Sequence, residues 1–223
     1  MIEQEKPIEF NITSRVPENP LGWFEIVLPE FVMSRLQSYI ETAKKNPINY
    51  NDHLAGNISN SLLLEDKDNW FFQTVLTPLI SQYTQHHPKY ERNISILNEN
   101  APFCLDPFWV NFQKENEVNP LHDHDGIFSF VIWVKIPTDW REQHKIPFVA
   151  QSVSPCASDF EFHYTTMLGT IGTHTYCLDK KSEGFMLFFP ASLQHIVYPF
   201  YNCDKERISI SGNIRLNTST SNL

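Results

Sequence analysis

The stretch Asn119-Pro120-Leu121-His122-Asp123-His124-Asp125-Gly126 leads directly into an apolar run at 127–136. The run is apolar at odd and even positions alike, which predicts a strand covered on both faces. On a strand, residues two apart point to the same side, so His122 and His124 can face one metal ion together. Far downstream, His195 would complete a three-histidine set from another strand. Neutral imidazoles suit iron, copper, nickel or zinc, and three ligands leave positions open for catalysis.

Arg207 and Ser209 follow His195 and share one face of a further predicted strand at 206–216. An arginine directed into an apolar barrel is costly unless an anion faces it. Its planar fork matches a carboxylate, and a neighbouring hydroxyl adds a hydrogen bond. The sequence leaves three placements open: a bound dicarboxylate as partner, an internal acid such as Asp204 or Glu206 as partner, or a position on the surface.

One domain is predicted over 1–223, because the chain of 223 residues shows no internal repeat and no linker. Residues 1–102 carry strand-like stretches and two helices, the first beginning at Pro29-Glu30 and the second capped by Asp68 and broken near Pro78. Residues 103–216 are typical of a series of strands, and 217–223 form a polar tail. Helices followed by strands predict an α+β fold, mainly β, with helices packed on an antiparallel sandwich or barrel.

Two polar segments, 48–66 and 138–158, are predicted to be largely loops and to contact the substrate. The net charge of −9 argues against a general nucleic-acid binder. The four scattered cysteines predict free thiols in a reducing compartment. We find no signal-peptide pattern and no apolar run that could cross a bilayer, and so expect a cytoplasmic protein with no membrane partner.

The motifs together resemble the 2-oxoglutarate/Fe(II)-dependent oxygenase superfamily. Within it, the chain is most similar to the uncharacterised oxygenases of marine T4-like phages, which would place it in the host cytoplasm. The resemblance covers roughly residues 103–216 and is carried by four stretches. These are Trp109-Val110-Asn111-Phe112; Asn119 to His124 with the strand Ser129-Phe130-Val131-Ile132-Trp133; Phe188-Phe189-Pro190-Ala191-Ser192-Leu193-Gln194-His195; and Arg207-Ile208-Ser209-Ile210-Ser211-Gly212-Asn213.

The resemblance implies a double-stranded β-helix, that is, a jelly-roll or cupin-like barrel, with supporting N-terminal helices. It implies that His122 and His195 bind Fe(II), and that Arg207, assisted by Ser209, holds the distal carboxylate of 2-oxoglutarate. Phe112 lies where relatives often carry a tyrosine that touches this cosubstrate. The implied reaction couples 2-oxoglutarate decarboxylation to oxidation, typically hydroxylation, of a small molecule or a protein side chain. The substrate itself and the oligomeric state stay open.

The sequence departs from the superfamily pattern at one ligand, because His124 stands where an aspartate or glutamate is usual. Either the metal has three histidine ligands, or Asp125 reaches back through the turn at Gly126 as the acid ligand. We favour three histidines, with the carboxylates accepting hydrogen bonds from the rings. Two other functions fit the motifs: a cupin-like three-histidine dioxygenase that needs no 2-oxoglutarate, and a non-enzymatic jelly-roll module of a virion or a binding protein.

Overall fold

The computed structural model describes residues 22–87 and 101–217. The alternating stretch at Ile8, Phe10 and Ile12 lies outside these residues, as does most of the tail. Within them, the strands are β1 Phe24–Val27, β2 Ser61–Leu63, β3 Phe103–Gln113, β4 Asn119–His122, β5 Phe128–Lys135, β6 Phe160–Thr165, β7 Ile171–Tyr176, β8 Phe185–Pro190, β9 Gln194–Val197 and β10 Arg207–Leu216. The helices are α1 Glu30–Lys45, α2 Thr77–His86, α3 Trp140–Gln143 and α4 Pro147–Ala150.

The strands form two antiparallel sheets that are connected in the manner of a double-stranded β-helix. The larger sheet has the order β1-β8-β5-β10-β3-β2, and the smaller sheet has the order β4-β9-β6-β7. Along the chain, β3 to β10 pass repeatedly from one sheet to the other, so that consecutive strands wind around a common interior. The predicted fold class, mainly β with supporting helices, is confirmed. The single-domain boundaries stay a prediction.

Helix α1 has the bounds that the sequence predicts. Pro29 precedes its first residue, and the chain leaves the helix at Asn46, one residue ahead of Pro47. The predicted stripe of Val32, Leu36 and Ile40 is buried. One stripe of a 3.6-residue helix can cover a sheet while the rest of the surface stays in water, and this helix does so.

The second helical segment differs from the prediction at its start. Asp66, two residues before the predicted cap, accepts hydrogen bonds from the backbone N–H groups of Phe71 and Phe72 at 2.8 Å each. Asp68 is exposed and has a φ of 60°, so it lies in the turn that precedes the helix. Pro78 predicts a kink or a break here, but the backbone stays helical: the π-helical turn Phe72–Leu76 continues directly into α2 one residue before the proline.

Both faces of the larger sheet are covered, as the apolar run at 127–136 predicts. From β5, Phe128, Phe130 and Ile132 pack towards α1 and α2 in one apolar cluster. Val131 and Trp133 point the other way, into a second cluster between the sheets. Strand parity alone produces this division, and it leaves the second face free to line an interior.

The segment 138–158 is largely loop, as predicted, and it also contains the short helices α3 and α4. The Asp139 side chain accepts a hydrogen bond from the backbone N–H of Arg141 and so caps the N-terminus of α3. All four cysteines are free. In the described ranges, every helix is too short or too polar to span a membrane.

Candidate active site

Three histidines converge at the open end of the barrel. His122 ends β4 and lies opposite His195 of β9 in the sheet register, while His124 follows two residues after the strand. The His124 and His195 Nε2 atoms are 3.3 Å apart. One ring nitrogen from each histidine lies within 4.8 Å of the other two, a group that could hold a metal ion. His124 lies outside a regular strand and is positioned by its backbone N–H, which donates to the Ala191 carbonyl at 2.9 Å.

Hydrogen bonds and burial prepare the imidazoles for metal binding. His122 Nδ1 lies 2.7 Å from the Pro120 carbonyl, and His195 Nδ1 lies 3.0 Å from the Leu193 carbonyl. A carbonyl can only accept, so both Nδ1 atoms carry the proton and both Nε2 atoms are unprotonated; that of His122 lies 3.3 Å from the Asn119 amide nitrogen. Burial lowers the pKa of all three histidines, that of His124 to about 3. The rings are therefore neutral, which is the form that binds metal.

This donor set fits a first-row metal ion such as Fe(II). Two imidazole nitrogens that share an ion each lie roughly 2 Å from it, which agrees with a 3.3 Å separation between His124 and His195. Neither Asp123 nor Asp125 belongs to the group, and both side chains are exposed. Asp125 is 93% exposed, with Oδ2 3.8 Å from Arg215 Nη2. The structure thus brings His124, and neither neighbouring carboxylate, into the cluster.

The cluster opens into a cavity of about 250 Å³ between the sheets. Part of its lining is apolar, and the part on β3 and β10 is polar; the two parts adjoin within the larger sheet, where Val131 of β5 pairs with Ser211 of β10. The rim is formed by the segment 50–58, part of one of the two segments predicted to contact the substrate; the segment 138–158 does not reach the cavity. The apolar part consists of Val131, Phe160, Phe189 and Val197, and the polar part of Asn111, Gln113, Ser209, Ser211, Asn213 and Arg215.

Phe112 does not face this cavity. It packs in the apolar cluster beneath α1, with the Lys44 ammonium 5.4 Å from its ring centroid. Strand parity explains the difference, because Asn111 and Gln113 point inward from β3 and the residue between them must point outward. The structure therefore places Phe112 outside the cavity, and the positions that line the cavity belong to its neighbours.

Arg207 is buried directly behind the cavity wall, with 1% of its surface exposed. Its guanidinium donates to the Ser158 hydroxyl at 2.6 Å and to the Gln113 Oε1 atom at 3.3 Å. Burial lowers its pKa to about 10, and the nearby Asp159 favours the charged form. Gln113 lines the cavity and Arg207 does not, so the glutamine side chain separates this cation from the space in which a dicarboxylate could lie.

Ser209 does line the cavity, and its hydroxyl makes no hydrogen bond within the described residues. The sequence prediction missed the rest of the polar part of the lining: Asn111 and Gln113 on β3, and Ser211, Asn213 and Arg215 on β10. The signal was present, because these polar residues occupy every second position of strands whose other positions are apolar. Polar residues at inward positions indicate a lined cavity.

The fold and the site define a double-stranded β-helix protein with a three-histidine cluster at the mouth of its barrel. The family model described as "Putative 2OG-Fe(II) oxygenase" matches residues 107–213, the strands that carry the cluster. No curated protein sequence gives a match. Over these residues, slightly less than half of the chain, the sequence is therefore similar to a family of 2OG-Fe(II) oxygenases, enzymes that use Fe(II) and 2-oxoglutarate.

Solved structures with a similar chain course include three prolyl hydroxylases. The prolyl-4-hydroxylase of Pseudomonas putida has 10% identity and a TM-score of 0.49, covering 88% of this chain and 94% of its own. The viral collagen prolyl hydroxylase of Paramecium Bursaria Chlorella virus-1, in its 2-oxoglutarate complex, has 10% identity and a TM-score of 0.48, with 87% and 96% covered. A Trichoplax adhaerens prolyl hydroxylase with a hypoxia inducible factor peptide has 12% identity and a TM-score of 0.49, with 87% and 83% covered.

Proposed function

We propose that His122, His124 and His195 bind Fe(II), and that the enzyme hydroxylates a C–H bond of its substrate while 2-oxoglutarate is decarboxylated. The observation that carries the proposal is the convergence of three neutral imidazoles whose Nδ1 protons, on His122 and His195, are held by backbone carbonyls. When bound, the metal supplies the oxidising chemistry with O2 and the keto acid. Three neutral ligands leave its charge at +2, which dianionic 2-oxoglutarate neutralises.

The surrounding side chains orient the reactants and exclude water. His195 stacks on Phe160, with ring centroids 5.4 Å apart, and meets Phe189 edge-on at 5.1 Å. These contacts fix the imidazole plane and keep bulk water away from one side of the cluster. On the rim side, Trp109 lies with its ring centroid 5.7 Å from that of His124 and limits the approach of the substrate.

We propose that the distal carboxylate of 2-oxoglutarate lies at the inner end of the cavity, against Ser209. The free hydroxyl of Ser209 and the amide of Asn111, which pairs with Ser209 in the strand register, are the polar groups at that depth. Arg207 stands behind Gln113 and supplies positive charge, which acts over several ångströms in a low-dielectric interior. Direct contact between Arg207 and the carboxylate requires the Gln113 side chain to move aside.

Metal analysis of matched variants tests the ligand set. The purified protein with Fe(II) is expected to bind one metal ion and to convert 2-oxoglutarate to succinate. His124→Ala is expected to weaken metal binding by more than ~10-fold, since even loss of an outer hydrogen bond to a ligand costs that much. Asp125→Ala is the control and is expected to keep the metal. The reverse pattern would identify the aspartate as the ligand and refute the three-histidine site.

Anaerobic titration with 2-oxoglutarate tests the position of the cosubstrate. Ser209→Ala is expected to raise its Kd about fivefold, the value of one ordinary hydrogen bond. Ser211→Ala removes the same group two residues nearer the mouth and is expected to leave the Kd unchanged. Equal effects of both substitutions would contradict the proposed orientation.

We also propose a cytoplasmic location, on the strength of four free cysteines and an acidic composition. Fractionation of cells that express the full chain, probed by immunoblotting, tests this location. Recovery of the protein in the membrane or secreted fraction would contradict it.

A further inference from the structure

Arg215 occupies the outer end of the polar part of the cavity lining and is not needed for the metal or the cosubstrate as proposed above. It lies eight residues along β10 from Arg207, with 41% of its side chain exposed at the rim of the cavity. Ser211 and Asn213 lie between it and Ser209 on the same face. From Ser209, at the proposed cosubstrate end, the polar residues of β10 therefore extend over about 20 Å to the Arg215 cation at the mouth of the cavity.

The backbone holds Arg215 directly against the loop that carries His124. Ile127 N–H donates to the Ile214 carbonyl at 2.8 Å. Gly126, with a φ of +108°, lies so close that a Cβ atom there would meet the Ile214 oxygen at 2.7 Å and Arg215 Cγ at 3.1 Å. The side-chain stem is thus fixed relative to the metal-binding loop, and a group bound by the guanidinium is held at a defined place beside the cluster.

The guanidinium of Arg215 is poorly satisfied by the protein. Its Nε atom is buried and has no hydrogen-bond partner within the described ranges. Its ion pair with Asp125 is long, at 3.8 Å, and involves a carboxylate that is almost fully in water. Such an exposed pair contributes little, whereas an unpaired buried donor is costly. A carboxylate can reach the Nη atoms of this half-exposed side chain and form the short, charge-assisted contact that Asp125 does not form.

A flat aromatic surface stands on the same rim. The Tyr50 ring stacks on His53 with centroids 4.8 Å apart and lies 6.0 Å from Trp109. All three residues line the cavity with Arg215. A planar or apolar group next to a carboxylate could pack on this surface while its acid reaches the guanidinium. The exposed Asp123 and Asp125 are already solvated and need no ligand.

We propose that Arg215 is a specificity-determining residue that binds a carboxylate of the substrate, whose planar or apolar remainder packs against Tyr50 and Trp109. The enzyme would accordingly oxidise an organic acid or a carboxylate-bearing residue, and discriminate against neutral and cationic analogues. As a statement about the substrate, this inference rests on the proposed function. The binding site itself can be tested without metal or cosubstrate.

The test uses para-fluorobenzoate, its neutral isostere para-fluorobenzamide and the cation para-fluorobenzylamine as probes. Each is titrated by fluorine NMR into metal-free full-length protein, so that the acid cannot bind to a metal. The wild type is expected to bind the benzoate about tenfold more tightly than the benzamide, the value of a charge-assisted contact. Arg215→Gln is expected to abolish this preference. Arg141→Gln, which removes an exposed arginine far from the cavity, is expected to preserve it.

Three results would overturn the proposal: equal affinity of the wild type for benzoate and benzamide, tighter binding of the benzylamine, or an unchanged preference in Arg215→Gln. A parallel titration of metal-loaded protein with 2-oxoglutarate separates the two proposals. If Arg215→Gln weakens 2-oxoglutarate binding as much as benzoate binding, Arg215 serves the cosubstrate and the substrate assignment is refuted. If the wild type binds neither metal nor 2-oxoglutarate, the proposed function fails while the benzoate result still decides the carboxylate site.

Discussion

Two features set the protonation state of His122 and His195: a hydrogen bond at Nδ1 and burial of the ring. The Nδ1 atoms of His122 and His195 each donate to the carbonyl two residues earlier in the chain. This local contact fixes Nε2 as the unprotonated ring nitrogen. Burial then lowers the pKa of both rings and keeps them neutral. Arg207 is buried as well, but no ligand faces it. Its guanidinium donates instead to a serine hydroxyl, a glutamine side chain and two backbone carbonyls.

Replacing Gly126 is expected to lower the free energy of unfolding, because its backbone conformation and its close neighbours both disfavour a side chain. Gly126→Ala combines a φ of +108° with a clash against the Ile214 carbonyl, whereas Gly169→Ala has a φ of +78° and open space. We expect a loss of roughly 2–4 kcal/mol in the free energy of unfolding for the first and about 1 kcal/mol for the second. Urea denaturation measures both. Equal losses would show that the chain relaxes around the added methyl group.

Among the elements, β3 and β10 show how alternation divides a sheet into two environments. The outward residues, such as Val110 and Ile210, join the apolar cluster beneath the helices. The inward residues, such as Asn111 and Ser211, line the cavity. A shift of one residue in register would exchange the two sets, so the burial of the apolar face fixes the position of every polar side chain at the site.

Asp66 is expected to stabilise the second helical segment and its contact with α1. Both of its carboxylate oxygens accept backbone N–H groups, and the Tyr39 hydroxyl donates to Oδ1 at 3.1 Å. Asp66→Asn places an amide nitrogen against one of these donors, so we expect a loss of about 1 kcal/mol in the free energy of unfolding. The matched control, Asp68→Asn, should change it by less than about 0.5 kcal/mol. Thermal or urea unfolding that ranks the two in reverse would reassign the cap.

For the whole molecule, the three-histidine cluster lies where the two sheets meet. His122 and His195 come from neighbouring strands of the smaller sheet, while His124 lies on the connection that leads into β5 of the larger one. Residues more than 70 positions apart in sequence are therefore held together only by the wound topology. A ligand bound by all three imidazoles should stabilise the fold, because the unfolded chain offers no such group.

Metal binding is accordingly expected to raise the melting temperature. At a hundredfold excess of Mn(II) over its Kd, the free energy of unfolding should rise by about 2.7 kcal/mol, and Tm by roughly 5–10 °C. Differential scanning calorimetry with and without Mn(II) measures the shift. His122→Ala should lose it, and His163→Ala, on a strand outside the cluster, should retain it. A shift that survives in His122→Ala would place the bound ion elsewhere.

The sequence by itself determined the strands, the bounds of α1 and the two-faced burial of β5, because these follow from the local periods of apolar residues. It also singled out His122, His124 and His195 from the nine histidines of the chain, since the first two share one strand face and the pair Arg207 and Ser209 follows the third. Only the tertiary structure decided that Phe112 turns away from the cavity, that Gln113 screens Arg207, and that Arg215 stands at the mouth. Strand parity relates neighbouring positions to one another, but which parity faces the cavity, and which side chains meet across two sheets, depend on long-range packing that no local pattern contains.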